Sequence, residues 1–212
     1  MRLRVIISQR CDEVVERDEV RDALDVRLPS LLWDLGLVPI PMASRIDDYT
    51  AYFDAINPEA VILSGGNNIG DFPERDSAEV AAIEYAVFHN LPVLGICRGM
   101  QMLNYYQGGN IRPVTSHVAT RHEIHGPLVG TTRREVNSFH DVGFLEVDLG
   151  DKLEALAWTK DGVIEALRHQ EKAWLGIMWH PERDVPTADE DLRLIRRHLE
   201  EVYSNLPKGK LS

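Results

Sequence analysis

The chain has 212 residues, 44% of them hydrophobic and 27% charged, with a formal net charge of -11 at pH 7. That length supports a full hydrophobic core and predicts one domain over residues 1–212. The acidic balance argues against a duplex nucleic-acid partner, which draws on clustered Lys and Arg. No apolar run approaches the roughly 18 residues of a membrane-spanning helix, so no membrane partner is expected either.

Met1 to Gln9 lacks both the apolar length and the small-residue cleavage site of a signal peptide, so a cytoplasmic protein is expected. The two cysteines, Cys11 and Cys97, can supply neither a disulfide framework nor a thiolate-rich zinc site. Leu3 to Ser8 is a Val- and Ile-rich run, the pattern of a strand buried on both faces. Leu28 to Leu35 has helical spacing, with Pro29 admissible in a first turn, and Gly36 stops it before the run Leu37 to Ile40. Ile46 to Ile56 predicts a helix, and Ala60 to Leu63 a short buried strand ending in Ser64-Gly65-Gly66-Asn67-Asn68. Asp76 to His89 is helical, with Asp76 and Glu79 spaced as a capping box, and Val93 to Ile96 is a fourth strand.

This alternation predicts an α/β fold: a mostly parallel central sheet flanked by helices, with ligands at the carboxyl ends of the strands. Beyond about residue 108, Val142 to Val147, Val163 to Arg168 and Ala173 to Met178 read as strands with few intervening helices, hence as antiparallel additions. Ala188 to Tyr203 predicts an amphipathic surface helix, and Asn205 to Ser212 a frayed polar tail.

Gly95-Ile96-Cys97-Arg98-Gly99 follows a predicted strand and precedes the helical run Met100 to Tyr106. A nucleophile on such a turn needs small neighbours, because its backbone is strained and adjacent elements pass close by. The helix start directs free N–H groups and a positive dipole end at the sulfur, which favours the reactive thiolate, and the Arg98 N–H can serve an oxyanion. Cys11 has no such setting and reads as a small buried hydrophobe.

A thiol nucleophile needs a histidine within reach and a group that fixes its tautomer. His180-Pro181-Glu182 ends the apolar run Trp174 to Trp179. In an extended segment, side chains two apart face the same way, which sets Glu182 beside His180. Alone this is an ordinary polar turn; paired with the cysteine elbow it completes a Cys97, His180, Glu182 triad. His117, His122, His125 and His140 share one stretch but form no His-x-x-x-His pair, so they read as loop or substrate-contact residues with no metal site.

Taken together, Gly95-Ile96-Cys97-Arg98-Gly99-Met100-Gln101 and His180-Pro181-Glu182 resemble the nucleophile and His-x-Glu motifs of the class I glutamine amidotransferases, and within them the γ-glutamyl hydrolase branch, peptidase C26-like. Leu63-Ser64-Gly65-Gly66 resembles their oxyanion loop. The resemblance implies a flavodoxin-like sheet, an oxyanion hole at Gly66 and Arg98, and a glutamyl thioester on Cys97 with no cofactor. It further implies glutamyl contacts from Gln101 and the segment Asn137-Ser138-Phe139-His140, with Gly65, Asn67 and Arg121 as further substrate-binding candidates. The stretches Ser64 to Asp76 and His117 to Glu123 look more like bacterial hydrolases that release cytidine diphosphoramidate from a γ-glutamyl precursor in capsule phosphoramidate synthesis. Arg75, Arg121, Arg133 and Arg134 could offer guanidinium forks to such a diphosphate, or form surface ion pairs.

The expected function is therefore a stand-alone hydrolase acting on a small-molecule γ-glutamyl conjugate. A glutaminase subunit passing ammonia to a synthetase partner uses the same chemistry. A binding module without catalysis is disfavoured by the intact Cys97, His180 and Glu182.

Overall fold

Strands apolar at every position need cover on both faces, and several short segments here have that composition. The computed structural model describes residues 2–201. In chain order its first half comprises β1 (Arg4–Ile7), β2 (Arg10–Val14), β3 (Glu19–Ala23), α1 (Arg27–Asp34), β4 (Val38–Pro41), α2 (Tyr49–Ile56), β5 (Ala60–Leu63), α3 (Pro73–His89), β6 (Val93–Ile96) and α4 (Arg98–Tyr106). The second half comprises β7 (Arg112–Pro113), β8 (Val118–Ile124), β9 (Arg134–Phe139), β10 (Val142–Gly143), β11 (Leu153–Trp158), β12 (Ile164–His169), β13 (Trp174–Ile177) and α5 (Asp189–Arg196).

The central sheet has seven strands in the order β11-β12-β13-β6-β5-β1-β4. β4, β1, β5, β6 and β13 run parallel, and β12 and β11 are antiparallel at one edge. Alternate residues face opposite layers. Val5, Ile7, Ala60, Ile62, Leu94 and Ile96 pack with Leu28, Leu32, Ile195 and Leu199. Ile6, Val61, Leu63 and Val93 pack with Phe53, Ala82, Ile83, Met100 and Leu103. Each fully buried aliphatic side chain contributes roughly 1.5–3 kcal/mol, so these two layers clamp the sheet and hold its carboxyl edge rigid.

The mostly parallel α/β architecture is as expected, with four local corrections. Ala173 to Met178 is not antiparallel to its inner neighbour: β12 turns back into β13, which therefore runs parallel to β6. Val142 to Val147 is not one strand. Val142–Gly143 bridges β7, and Glu146–Asp148 is a 3-10 turn held by the Asp148 carboxylate, which accepts from Leu145 N at 3.0 Å. Asp76 and Glu79 form no capping box, because α3 starts earlier, at Pro73, and both carboxylates face Arg98 instead. α2 starts at Tyr49 rather than Ile46, since the Asp48 side chain caps it by accepting from Ala51 N at 2.9 Å.

The C-terminal helix packs on the sheet through Ile195 and Leu199, passing into a π-helical turn at Arg197–Glu201. The expected continuation to Tyr203 and the tail from Asn205 lie outside the described residues. Among the described residues no helix is long and apolar enough to cross a membrane.

Candidate active site

The parallel strands bring four chain reversals to one edge: the ends of β1, β5, β6 and β13. Cys97 occupies the reversal from β6 into α4 with φ 54 and ψ -108, a conformation costing an L-residue about 1–3 kcal/mol. Hydrogen bonds on both sides impose it: Cys97 N donates to Ile177 O at 2.7 Å, and Cys97 O accepts from Gln101 N at 3.1 Å. Close approach explains the following glycine, since a Cβ on Gly99 would lie 2.0 Å from the Leu63 carbonyl oxygen. Arg98 is the first residue of α4, where backbone N–H groups lack intrahelical acceptors.

His180 lies just beyond β13, beside the cysteine because β13 pairs with β6. Its Nδ1 is 2.7 Å from Glu182 Oε1, and both residues are buried. The segment is not the extended run expected: Pro181–Arg183 forms a 3-10 turn, and this turn carries the carboxylate to the ring. Gly65 lies against both this ring and the Cys97 side chain, which sets the imidazole beside the thiol. Burial alone would push the imidazole down; the Cys97 thiol and the Glu182 carboxylate outweigh it and raise His180 to about 9. Asn137 fixes the backbone here. Its Nδ2 donates to His180 O at 2.8 Å, and its Oδ1 accepts from His180 N at 2.9 Å. The Phe139 ring stands edge-on to the imidazole with centroids 5.9 Å apart.

The glycine loop after β5 closes the third side. Gly65 sits against the pair: a Cβ there would meet His180 Cε1 at 2.8 Å and Cys97 Cβ at 3.6 Å. Gly66 has φ 101, a conformation that needs glycine. The loop is gripped by the buried Arg75, whose guanidinium donates to the carbonyls of Ser64 and Gly65, each at 2.9 Å, and to Asn67 Oδ1 at 3.0 Å. Glu79 bridges this clamp to the elbow, accepting from Arg75 Nε at 3.1 Å and pairing with Arg98, which also pairs with Asp76. By sequence Arg75 is a candidate diphosphate contact. Its place is internal, and the buried carboxylate four residues on, Glu79, was the signal available.

Several other candidates are engaged structurally. Asn67 binds the Cys11 backbone through both side-chain atoms, at 2.8 and 2.9 Å. Gln101 Nε2 donates to Val142 O at 3.1 Å, and Ser138 Oγ to His117 O at 2.6 Å. Arg134 pairs with Asp191, and the exposed Arg133 lies 3.8 Å from Glu123. The four arginines thus do not converge. Arg121, paired with Glu135 and Asp184 at 2.9 Å each, lines a cleft of about 410 Å³ with Thr120, Asn137, Phe139, Arg183 and Asp184. Arg183 passes over the Phe139 ring at 4.5 Å, and sequence reading did not single it out. That cleft reaches the triad through Asn137, Phe139 and Arg183, which adjoin His180 and Glu182, whereas a larger groove, about 630 Å³ around Leu128, Arg134 and Arg197, includes none of these residues. The histidines also depart from expectation. His117, His122 and His140 surround the buried Glu165, whereas His125 makes a backbone bridge to Trp158.

A doubly wound sheet carrying a cysteine elbow, a His–Glu pair and a glycine loop at one edge defines a class I glutamine amidotransferase-like protein. Residues 33–182 match the Peptidase C26 family model, and the chain belongs to that family. Among its relatives is the gamma-glutamyl-CDP-amidate hydrolase of Campylobacter jejuni, 37% identical over 155 residues, covering 70% of this chain and 73% of that protein. Another is anthranilate synthase component 2 of Pseudomonas putida, 30% identical over 70% of this chain and 79% of that one. Among solved structures, a glutamine amidotransferase of Thermotoga maritima superposes with a TM-score of 0.63 at 15% identity, covering 95% of this chain and 85% of that one. Family membership and the hydrolase relative together support a hydrolase.

Proposed function

We infer that the protein hydrolyses a γ-glutamyl amide bond through a thioester on Cys97. The observation that carries this reading is the strained Cys97 on the strand end beside an imidazole whose Nδ1 is held at 2.7 Å by Glu182. In this reading the Cys97 thiolate attacks the γ-carbonyl carbon, and the N–H groups of Gly66 and Arg98 receive the oxyanion. His180 gives its Nε2 proton to the departing amine as the C–N bond breaks. It then takes a proton from water, which attacks the thioester and frees glutamate and the thiol. Glu182 keeps Nδ1 protonated throughout. Gly65, Gln101 and the Asn137–His140 segment border the glutamyl group, and Asn67 holds the loop.

The 37% identical hydrolase supports γ-glutamyl-CDP-amidate as substrate. The cleft lined by Arg121 and Arg183 offers two guanidinium groups to a diphosphate next to the triad. Glutamate release is to be assayed with glutamine, a γ-glutamyl alkylamine and γ-glutamyl-CDP-amidate. The nucleotide conjugate should be turned over fastest, without any added protein. A second reading, a glutaminase subunit, is favoured by the similarity to a synthase component. Fast glutamine turnover that appears only with an added synthetase would establish that reading and displace the first.

A further inference from the structure

Glu165 is fully buried in β12, where its neighbours in sequence, Ile164 and Ala166, are core residues. A carboxylate in such a place needs counter-charge or complete hydrogen bonding. Three imidazoles approach a single atom of it, Oε1: His122 Nε2 at 3.2 Å, His140 Nε2 at 3.3 Å and His117 Nδ1 at 3.6 Å. His117 and His140 are buried, and the His122 side chain is 16% exposed.

The outer nitrogens decide what the inner ones can be. His140 Nδ1 is 3.0 Å from the Val142 carbonyl, which can only accept, so that nitrogen carries the proton. His117 Nε2 is 3.1 Å from the Asp161 carboxylate, which likewise draws an N–H. In their neutral forms these two rings therefore turn a lone pair, not a proton, toward the Glu165 oxygen. Hydrogen bonding does not resolve the cluster: His117 Nδ1, His122 Nε2 and Glu165 Oε2 are buried with no hydrogen-bond partner among the described residues. Lone pairs converging on a buried anion are what a cation resolves.

We propose that His117, His140 and Glu165, with His122 Nε2 at 3.2 Å from the same carboxylate oxygen as the further donor, form a binding site for a divalent transition-metal ion of zinc's preference. The donor set is three imidazoles and a carboxylate, with no thiolate, which suits that ion. Ligand atoms lying roughly 2.0–2.1 Å from a tetrahedral centre stand about 3.3 Å apart, close to the three separations to Oε1. The donor atoms of His117, His140 and Glu165 all lie within 4.8 Å of one another. The outer contacts to Asp161 and Val142 are of the kind that fixes the tautomer of a metal-bound histidine. With His122 completing the set, four protein ligands leave no open position, and the ion is structural. It ties the β8–β9 hairpin to the central sheet, and that hairpin carries Asn137, which holds the His180 backbone at 2.8 and 2.9 Å. The site thus stands near the triad without sharing an atom with it, and its test by metal binding does not depend on which substrate is turned over.

Chelator-stripped full-length protein is to be reconstituted with Zn2+ and its metal content measured after dialysis, with Co2+ binding followed by visible absorption. About one ion per chain and the intense bands of tetrahedral Co2+ are expected. Glu165→Gln should weaken Zn2+ by more than about 100-fold, whereas Asp161→Asn, which removes only an outer contact, should cost roughly 10–100-fold. His122→Gln, at the most accessible ligand, serves if Glu165→Gln does not fold. Zn2+ should raise the Tm of the wild type but not of either ligand variant. Cys97→Ala should keep the ion. Wild-type protein that retains no ion, or folded ligand variants that retain it undiminished, would overturn the site; loss in Cys97→Ala alone would place the metal at the thiol instead.

Discussion

Replacing Glu182 by glutamine removes one charge and almost no volume from beside His180. Raising that imidazole from 6.5 to about 9 corresponds to roughly 3 kcal/mol of imidazolium stabilisation remaining after burial is overcome. Cys97 and Glu182 supply it jointly, so losing the carboxylate should cost on the order of tenfold. The amide can also rotate to present its NH2 to Nδ1, which selects the wrong tautomer and adds a further loss of about tenfold or more. Glu182→Gln should therefore lower kcat by roughly 10²–10³ without abolishing turnover. The sign of the pH effect follows. His180 must hold the proton it gives to the leaving amine, so wild-type kcat/KM should fall as pH rises through about 9. In the variant that limb should move down by about one pH unit. Initial rates of glutamate release across pH for both proteins are the assay. A variant within about threefold of wild type, its alkaline limb unmoved, would refute the role given to Glu182.

Other substitutions probe the supports of the site. Asn137→Ala removes two hydrogen bonds to the His180 backbone and leaves buried partners unsatisfied, costing about 1–3 kcal/mol; stopped assays should show kcat falling more than KM rises. Gly99→Ala sets a methyl 2.0 Å from the Leu63 carbonyl oxygen, a backbone atom that cannot turn aside, so denaturant titration should show more than about 3 kcal/mol of lost stability. Arg75→Met strips the clamp from the Ser64 and Gly65 carbonyls and leaves Glu79 with one partner fewer. Activity should fall about tenfold or more, even in preparations whose circular dichroism matches wild type.

The parts of this molecule legible in the sequence are those whose cause is local. Val5 to Ile7, Ala60 to Leu63 and Val93 to Ile96 are apolar throughout, which only a doubly covered strand explains, and all three lie side by side in the sheet. Cys97 between glycines, after one such strand, marked the elbow for the same reason. What escaped depends on partners distant in sequence. The strand Leu153–Trp158 reads Leu-Glu-Ala-Leu-Ala-Trp, a string of helix formers that becomes a strand only because β12 offers it an edge. Arg10–Val14 and Glu19–Ala23 are rich in charge, and Glu19–Ala23 is exposed at all but its last residue, so neither carries an apolar alternation to read. His117, His122 and His140 showed no metal-like spacing because a bulged hairpin, not a helix, brings them together. Their common partner, Glu165, was the visible clue: a lone carboxylate inside an apolar strand.

The central claim is that Cys97 carries the glutamyl group, and an acid quench during steady turnover tests it most directly. Peptide mass analysis of the quenched protein should find a glutamyl adduct on the fragment containing Cys97, lost on treatment with hydroxylamine and absent from an otherwise folded Cys97→Ala protein. Turnover that persists in Cys97→Ala, or an adduct on any other residue, would contradict the account.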